Sequence, residues 1–254
     1  MRAKRSQKYA RCGSPSRRRS LVRQAPSRPL IVATGNPGKL REFGALLSDL
    51  PFELHSLGDL RVASPEESGA SFLENALLKA RHAAAAALAA GFGAASAGLA
   101  AIADDSGLEV DALGGAPGIF SARYAGVGAD DAANNAKLLS ALAGIPLKLR
   151  RARYRCALAL VFAPSEAAPL IAEGIWEGSI LESPRGSGGF GYDPYFWLPD
   201  LGVTAAQLDP SDKNRLSHRG IAMRALRNQL LAREKLASDE FASERLAHDR
   251  PVRP

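Results

Sequence analysis

Leu30-Ile31-Val32-Ala33-Thr34-Gly35-Asn36-Pro37-Gly38-Lys39-Leu40 is the stretch from which the fold class can be read. Residues 30–34 are apolar and β-branched, a strand signal. Gly35-Asn36-Pro37-Gly38 breaks the run, and Leu40, Phe43 and Leu47 then recur at helical spacing. Asn36 suits the N-cap, and Pro37 the first helical position, where a missing amide hydrogen costs nothing. Strand, turn and helix in succession open an α/β unit.

The alternation continues along the chain. Residues 52–55 read as a second strand and 71–90 as a long helix carrying Phe72, Leu77 and Leu88 among alanines. Gly91, Gly93 and Gly98 would each cost about 1 kcal/mol inside a helix, so residues 91–98 are expected to form an insertion loop. Residues 101–103 lead as a strand into Asp104-Asp105-Ser106-Gly107, read as a turn, beyond which Leu108, Val110 and Ala112 alternate with polar residues. Residues 130–142 read as a helix, 153–162 and 170–181 as two long strands, and 217–236 as the last helix. Elements this interleaved predict one α/β domain, residues 29–236, around a mixed sheet. Residues 237–254, charged and ending in Pro-Val-Arg-Pro, are expected to be a flexible tail.

The net charge of +7 sits at one end. Residues 1–28 hold ten Lys and Arg and no acid, which leaves 23 basic against 26 acidic residues, about −3, for the rest. A basic groove across the body is not indicated, so no specific nucleic-acid partner is expected; any polyanion binding would be tail-borne and salt-sensitive. The Arg- and Ser-rich tail reads as disordered, and two readings of it stand: an organelle import presequence, or an extension without function. Cys12 and Cys156 supply neither a disulfide framework nor a zinc spacing; a core thiol at Cys156 fits a reducing, cytoplasmic compartment. No run approaches the roughly 20 apolar residues that span a bilayer, so no membrane association is expected.

Five segments carry candidate chemistry. Thr34 to Lys39 puts backbone amides, a helix start and a lysine together, an anion site, unless it is a plain capped turn. It is not a Walker loop, since its glycine spacing differs and Leu40 stands where Ser or Thr should follow the lysine. Glu66-Glu67 and Asp104-Asp105 are acidic pairs read in turns; a divalent cation takes carboxylates of this kind, and so does solvent. Ser187-Gly188-Gly189-Phe190-Gly191-Tyr192-Asp193-Pro194 lets a main chain approach a flat ligand beside aromatic faces, or forms a hairpin whose rings plug the core. Lys213 and Ser217-His218-Arg219-Gly220 bring donors to the start of the final helix, for a base carbonyl, for phosphate, or simply as its exposed first turn. Gly114-Gly115-Ala116-Pro117-Gly118, followed by Phe120 to Tyr124, is a further loop.

Taken together and in this order, these segments resemble the inosine/xanthosine triphosphate pyrophosphatase family over residues 30–232. The resemblance is carried by Ala33-Thr34-Gly35-Asn36 with Lys39, Glu66-Glu67 with Gly69, Phe72 with Glu74-Asn75-Ala76 and Lys79-Ala80-Arg81, residues 103–107, 114–124 and 188–194, and Ser217 to Gly220. It implies an elongated mixed β-sheet flanked by helices, two lobes around a central nucleotide cleft, and a homodimer. It also implies that Thr34, Gly35, Asn36, Pro37, Gly38 and Lys39 bind the triphosphate. Glu66 and Asp105 would hold Mg2+, with Asp105 also taking the proton of the attacking water. Ser106, Phe190, Gly191, Tyr192, Asp193, Lys213, His218 and Arg219 would complete the site for a purine nucleoside triphosphate. Adjacent strand residues face opposite ways, so the choice of Asp105 over Asp104 rests on the resemblance alone. Two rivals are a same-fold pyrophosphatase of pyrimidine or methylated nucleotides, as in the related septum-inhibitor family, and a nucleic-acid-binding module using the tail.

Overall fold

The structure, a computed structural model, describes residues 28–92 and 99–248, with side chains described as far as residue 236. The N-terminal tail to residue 27, most of the expected insertion loop (93–98) and residues 249–254 lie outside the described residues.

β1 (Arg28–Val32), β2 (Phe52–Ser56) and β3 (Ala100–Val110) run parallel; β4 (Arg151–Val161), β5 (Leu170–Ile180), β6 (Phe196–Leu198) and β7 (Val203–Thr204) continue antiparallel. The result is a seven-stranded mixed sheet in the order β2-β1-β3-β4-β5-β6-β7. Its helices begin where the sequence places caps. Asn36 caps α1 (Pro37–Leu46), Ser71 caps α2 (Phe72–Ala89) and Asp130 caps α3 (Asp131–Ala141), each side chain accepting a first-turn N–H. None of the described helices is long and apolar enough to cross a membrane.

Three expectations are corrected. Asp104 to Gly107 is no turn but the middle of β3, paired with β4 in register Asp104↔Leu158, Asp105↔Ala157, Ser106↔Cys156 and Gly107↔Arg155. Acids and glycine disfavour strands, and here the ladder and buried cations hold them extended. Lys213 lies on a separate short helix, α4 (Pro210–Leu216), capped by Asp209 with Pro210 at its first position. The last helix, α5 (His218–His248), runs past Leu236 because residues 237–248 hold neither Gly nor Pro and are rich in helix formers.

Side chains alternate across β3 and divide the core. Ala101 and Ala103 pack with Ile31, Ala157 and Ala159 under α2, while Ile102 packs with Val32, Phe43, Leu158 and Met223 under α1 and α5. A third cluster, including Leu108, Tyr154, Trp176, Tyr192 and Phe196, fills the other end of the long strands. Asp104-Asp105-Ser106 therefore occurs where the three meet. Cys156 is buried there, and burial together with the nearby Asp104 carboxylate pushes its thiol up to about 12. Two glycines allow the close approaches. A Cβ on Gly107 would stand 2.4 Å from the Gly118 carbonyl, and one on Gly174 would stand 2.0 Å from the His218 carbonyl at the start of α5.

Candidate active site

A cavity of about 270 Å³ opens where the clusters meet. One side is built by the α1 start and β3, with Asn36, Lys39, Asp105 and Ser106, and by Glu67. Opposite are Tyr154 of β4, the glycine-rich loop with Phe190, Gly191, Tyr192 and Asp193, and the α5 start with His218 and Arg219.

The two aspartates of β3 face apart. Asp104 Oδ2 accepts from Lys39 Nζ at 2.9 Å, from Arg219 Nη2 at 2.9 Å and from Ser106 Oγ at 3.1 Å. Burial opposes its charge, but Lys39 and Arg219 outweigh that and hold the carboxyl well below the usual carboxylate range. Asp105 lies on the α2 face, where Lys79 Nζ reaches Oδ1 at 2.9 Å and Asn75 Nδ2 reaches Oδ2 at 3.1 Å. Asn75 and Lys79 are one turn apart on α2, hence on one face. Burial raises the Asp105 carboxyl, Lys79 only partly offsets this, and the Glu67 charge adds to the rise. Lys79 is raised too, despite burial, because it feels the charges of Asp105, Asp104 and Glu67 together.

Within the acidic pair at 66–67 the geometry separates the two residues. Glu66 is exposed, while Glu67 lines the cavity and is held by Lys79 Nζ at 2.9 Å and Arg123 Nη1 at 2.8 Å. Lys79 thus stands between two carboxylates facing one cavity. Among the described residues no group of three or more His, Cys, Asp or Glu side chains could hold a metal ion. Two carboxylates, one of them destabilised in its charged form, nonetheless suit a hard divalent cation that draws its remaining oxygens from phosphate and water.

The turn from Thr34 to Lys39 is more committed than its sequence indicates. Asn36 Oδ1 accepts the Gly38 and Lys39 N–H groups at 2.8 and 3.2 Å, and Thr34 Oγ1 accepts the Asn36 N–H at 3.2 Å. Two of the amides read as anion donors are therefore occupied by the cap. Lys39, though paired with Asp104, lines the cavity as the cation of this turn, while Gly35 and Pro37 are exposed outside it. A Cβ on Gly38 would come within 3.0 Å of the Phe190 ring, so the turn and the glycine-rich loop touch.

At the aromatic side Asp193 organises the loop. Its Oδ2 accepts from Lys213 Nζ at 2.6 Å and from the Phe190 N–H at 2.9 Å, while the Tyr154 hydroxyl lies 3.3 Å from Oδ1. Lys213 also sits 4.6 Å from the centre of the Phe190 ring and 3.5 Å from Glu42. Tyr192 donates its hydroxyl to the Ser121 carbonyl at 2.8 Å. Arg219, 2 % exposed, is consumed by Asp104, Glu42 and Ser106. His218 differs. Its ring stacks on Tyr154 at 4.7 Å and 11°, and its Nδ1 is buried with no hydrogen-bond partner. Burial, then Arg219 and Lys213, push its pKa well below the usual histidine value, so the ring is neutral.

Glu42, Asn75, Lys79, Arg123 and Asp131 belong to this network without having been singled out as site residues. The i, i+4 spacing of Asn75 and Lys79 was legible; what their face meets was not.

Fold and cavity define the class: a mixed-sheet α/β protein whose cleft brings a lysine-bearing helix start and two carboxylates against an aromatic wall. The chain belongs to the Ham1 family, whose model matches residues 30–229. It is 52% identical over 203 residues to the dITP/XTP pyrophosphatase of Xanthomonas campestris pv. campestris (strain 8004), covering 80% of this chain and 97% of that protein. To the dITP/XTP pyrophosphatase of Methylococcus capsulatus (strain Bath) it is 53% identical over 205 residues, covering 81% and 97%. Among solved structures it resembles a HAM1 protein from Coxiella burnetii, with a TM-score of 0.72, 43% identity and coverage of 81% of this chain and 99% of that one.

Proposed function

We propose that this protein hydrolyses the non-standard purine nucleoside triphosphates ITP, dITP and XTP to the monophosphate and pyrophosphate, removing them from the nucleotide pool. The observation that carries the reading is the union, in one cavity, of Lys39, the Glu67 and Asp105 carboxylates and the aromatic wall of Phe190, Tyr192 and His218. The two similar proteins named dITP/XTP pyrophosphatase support the substrate class.

Asp105 is the proton acceptor. Its raised carboxyl makes it a stronger base than an ordinary aspartate, and Lys79 and Asn75 fix its two oxygens. Water attacks the α-phosphorus, its proton passes to Asp105, and the bond to the bridging oxygen breaks to release pyrophosphate. Lys39 offsets charge on the departing pyrophosphate. Asp105 and Glu67, rather than the expected Glu66, would hold Mg2+, and the bound ion would supply the positive charge that neutralises phosphate and acidifies the water.

Base selection falls to His218. Of the three expected donors, Lys213 and Arg219 are paired with carboxylates while His218 Nδ1 has no partner, so in its Nδ1–H tautomer His218 donates to a 6-carbonyl, which hypoxanthine and xanthine carry and adenine lacks. Leaving it unpaired costs about 1–3 kcal/mol.

Turnover in 18O-labelled water tests the bond cleaved: label in the monophosphate with unlabelled pyrophosphate supports the reading, and release of orthophosphate refutes it. The homodimer and the cytoplasmic location, with import through the basic tail as its alternative, belong to the same proposal. Exposed Phe120 and Ile175 are candidate dimer contacts, and light scattering tests the assembly.

A further inference from the structure

α3 grips both polar groups of a single glycine. The Gly191 N–H donates to Asp131 Oδ2 at 2.6 Å, and Asn135 Nδ2 donates to the Gly191 carbonyl at 2.9 Å. Asn135 Nδ2 also donates to the Asp131 carbonyl at 2.8 Å, so the two grips brace one another. Asn135 is buried, and its Oδ1 has no partner.

Gly191 is the hinge between the rings of the aromatic wall. It lies between Phe190 and Tyr192 with φ at +63°, in the left-handed region, inside a segment that also contains Gly186, Gly188 and Gly189. Such a segment has wide conformational freedom, and a glycine peptide left unheld can rotate and carry both neighbouring rings with it. Asp193 fixes the Phe190 N–H, and Ser121 fixes the Tyr192 hydroxyl. The Phe190 carbonyl also accepts the Asp193 N–H at 3.3 Å, whereas the side-chain grips on the N–H and the carbonyl of Gly191 itself come from α3.

We infer that Asp131 and Asn135 are positioning residues for base recognition, holding Gly191 so that Phe190 and Tyr192 form a preorganised face for the purine. The inference rests on the nucleotide reading above. Asp131 lines the cavity mouth and acts through Gly191 rather than on the phosphates, so its removal affects the grip on the base and spares the chemical step.

The test is steady-state hydrolysis of ITP with Mg2+ by the full chain and by Asp131→Ala, Asn135→Ala and Asp131→Asn, with tripolyphosphate, which has no base, as a competing inhibitor. The alanine variants should raise KM for ITP about tenfold with kcat within about twofold, as expected for one lost hydrogen bond, charge-assisted at Asp131 and neutral at Asn135. Their inhibition by tripolyphosphate should be unchanged. Asp131→Asn, whose amide oxygen accepts the same N–H, should recover most of the loss. Unaltered KM in Asp131→Ala, a fall in kcat alone, or tripolyphosphate inhibition weakened in parallel overturns the inference while leaving the pyrophosphatase reading intact. Should Asn135→Ala not fold, the exposed Asp131 still decides the matter. A wild-type chain that releases no pyrophosphate from ITP overturns both.

Discussion

Asp104 and Asp105 are neighbours in β3 whose carboxylates leave the sheet on opposite faces, the first toward Lys39 and Arg219, the second toward Asn75 and Lys79. The folded state lowers the first carboxyl and raises the second, so it favours the charge on Asp104 and disfavours that on Asp105.

Asn substitutions should therefore separate stability from chemistry. Asp104→Asn leaves the buried Arg219 and Lys39 short of a counter-charge and should cost about 3–5 kcal/mol, with a clear fall in Tm. Asp105→Asn should hold or raise Tm while nearly abolishing turnover, since an amide cannot accept the water's proton. Calorimetry and kcat on both variants check this; the opposite pattern would mean that Asp104 faces the chemistry.

Lys79 separates two carboxylates. Replacing it with Met should lower kcat/KM roughly tenfold or more, because Asp105 loses the group that orients it. Added Mg2+ without nucleotide should then raise Tm more than in the wild type, since a bound cation stabilises by mass action and the ammonium no longer competes with it. Equal Mg2+ shifts in the two proteins would remove Glu67 and Asp105 as the cation's ligands.

His218 gives stability a pH dependence whose sign is fixed. Its folded pKa lies below the unfolded value, so its contribution is complete above about 6.5 and declines as pH falls from there toward the folded value, by up to about 1.4 kcal/mol per pH unit. His218→Phe keeps a ring against Tyr154 and cannot bind a proton. Urea unfolding between pH 5 and 7.5 should show a shallower slope in this variant than in the wild type, and identical slopes would place the acid sensitivity elsewhere.

The basic tail carries none of the motifs, so removal of residues 1–27 should leave kcat/KM within about twofold and Tm within several degrees. The cut must spare Arg28, which starts β1, pairs with Glu234 and lies over the Phe52 ring. A larger change in either quantity would show that the tail docks on the body.

Local signals are legible in the sequence because their causes are local. The cap at Asn36, the proline at Pro37 and the apolar run before them fix the strand–turn–helix opening within a dozen residues. Asp104 to Gly107 reads as a turn because two acids and a glycine disfavour a strand, whereas the ladder comes from β4 about 50 residues later and the neutralising Arg219 stands 115 residues away. For the same reason Arg219, read as a base-facing donor, is a buried partner of Asp104. The choice between Glu66 and Glu67 turns on which side of a loop faces α2, and no periodicity encodes that. Segments named by the resemblance supply residues to the cavity; only packing shows that Asp131 and Asn135, absent from those segments, hold one of them.

The central claim is tested most directly by pyrophosphate release across a panel of ITP, dITP, XTP, GTP and ATP with Mg2+. With ATP bound, His218 Nδ1 and the adenine 6-amino group would both be left unpaired, which predicts ITP and XTP, with dITP, about ten- to ten-thousandfold above ATP in kcat/KM, and His218→Ala losing proportionally more on ITP than on ATP. ATP hydrolysed within tenfold of ITP by the wild type, or discrimination fully retained by the His218 variant, would contradict the account.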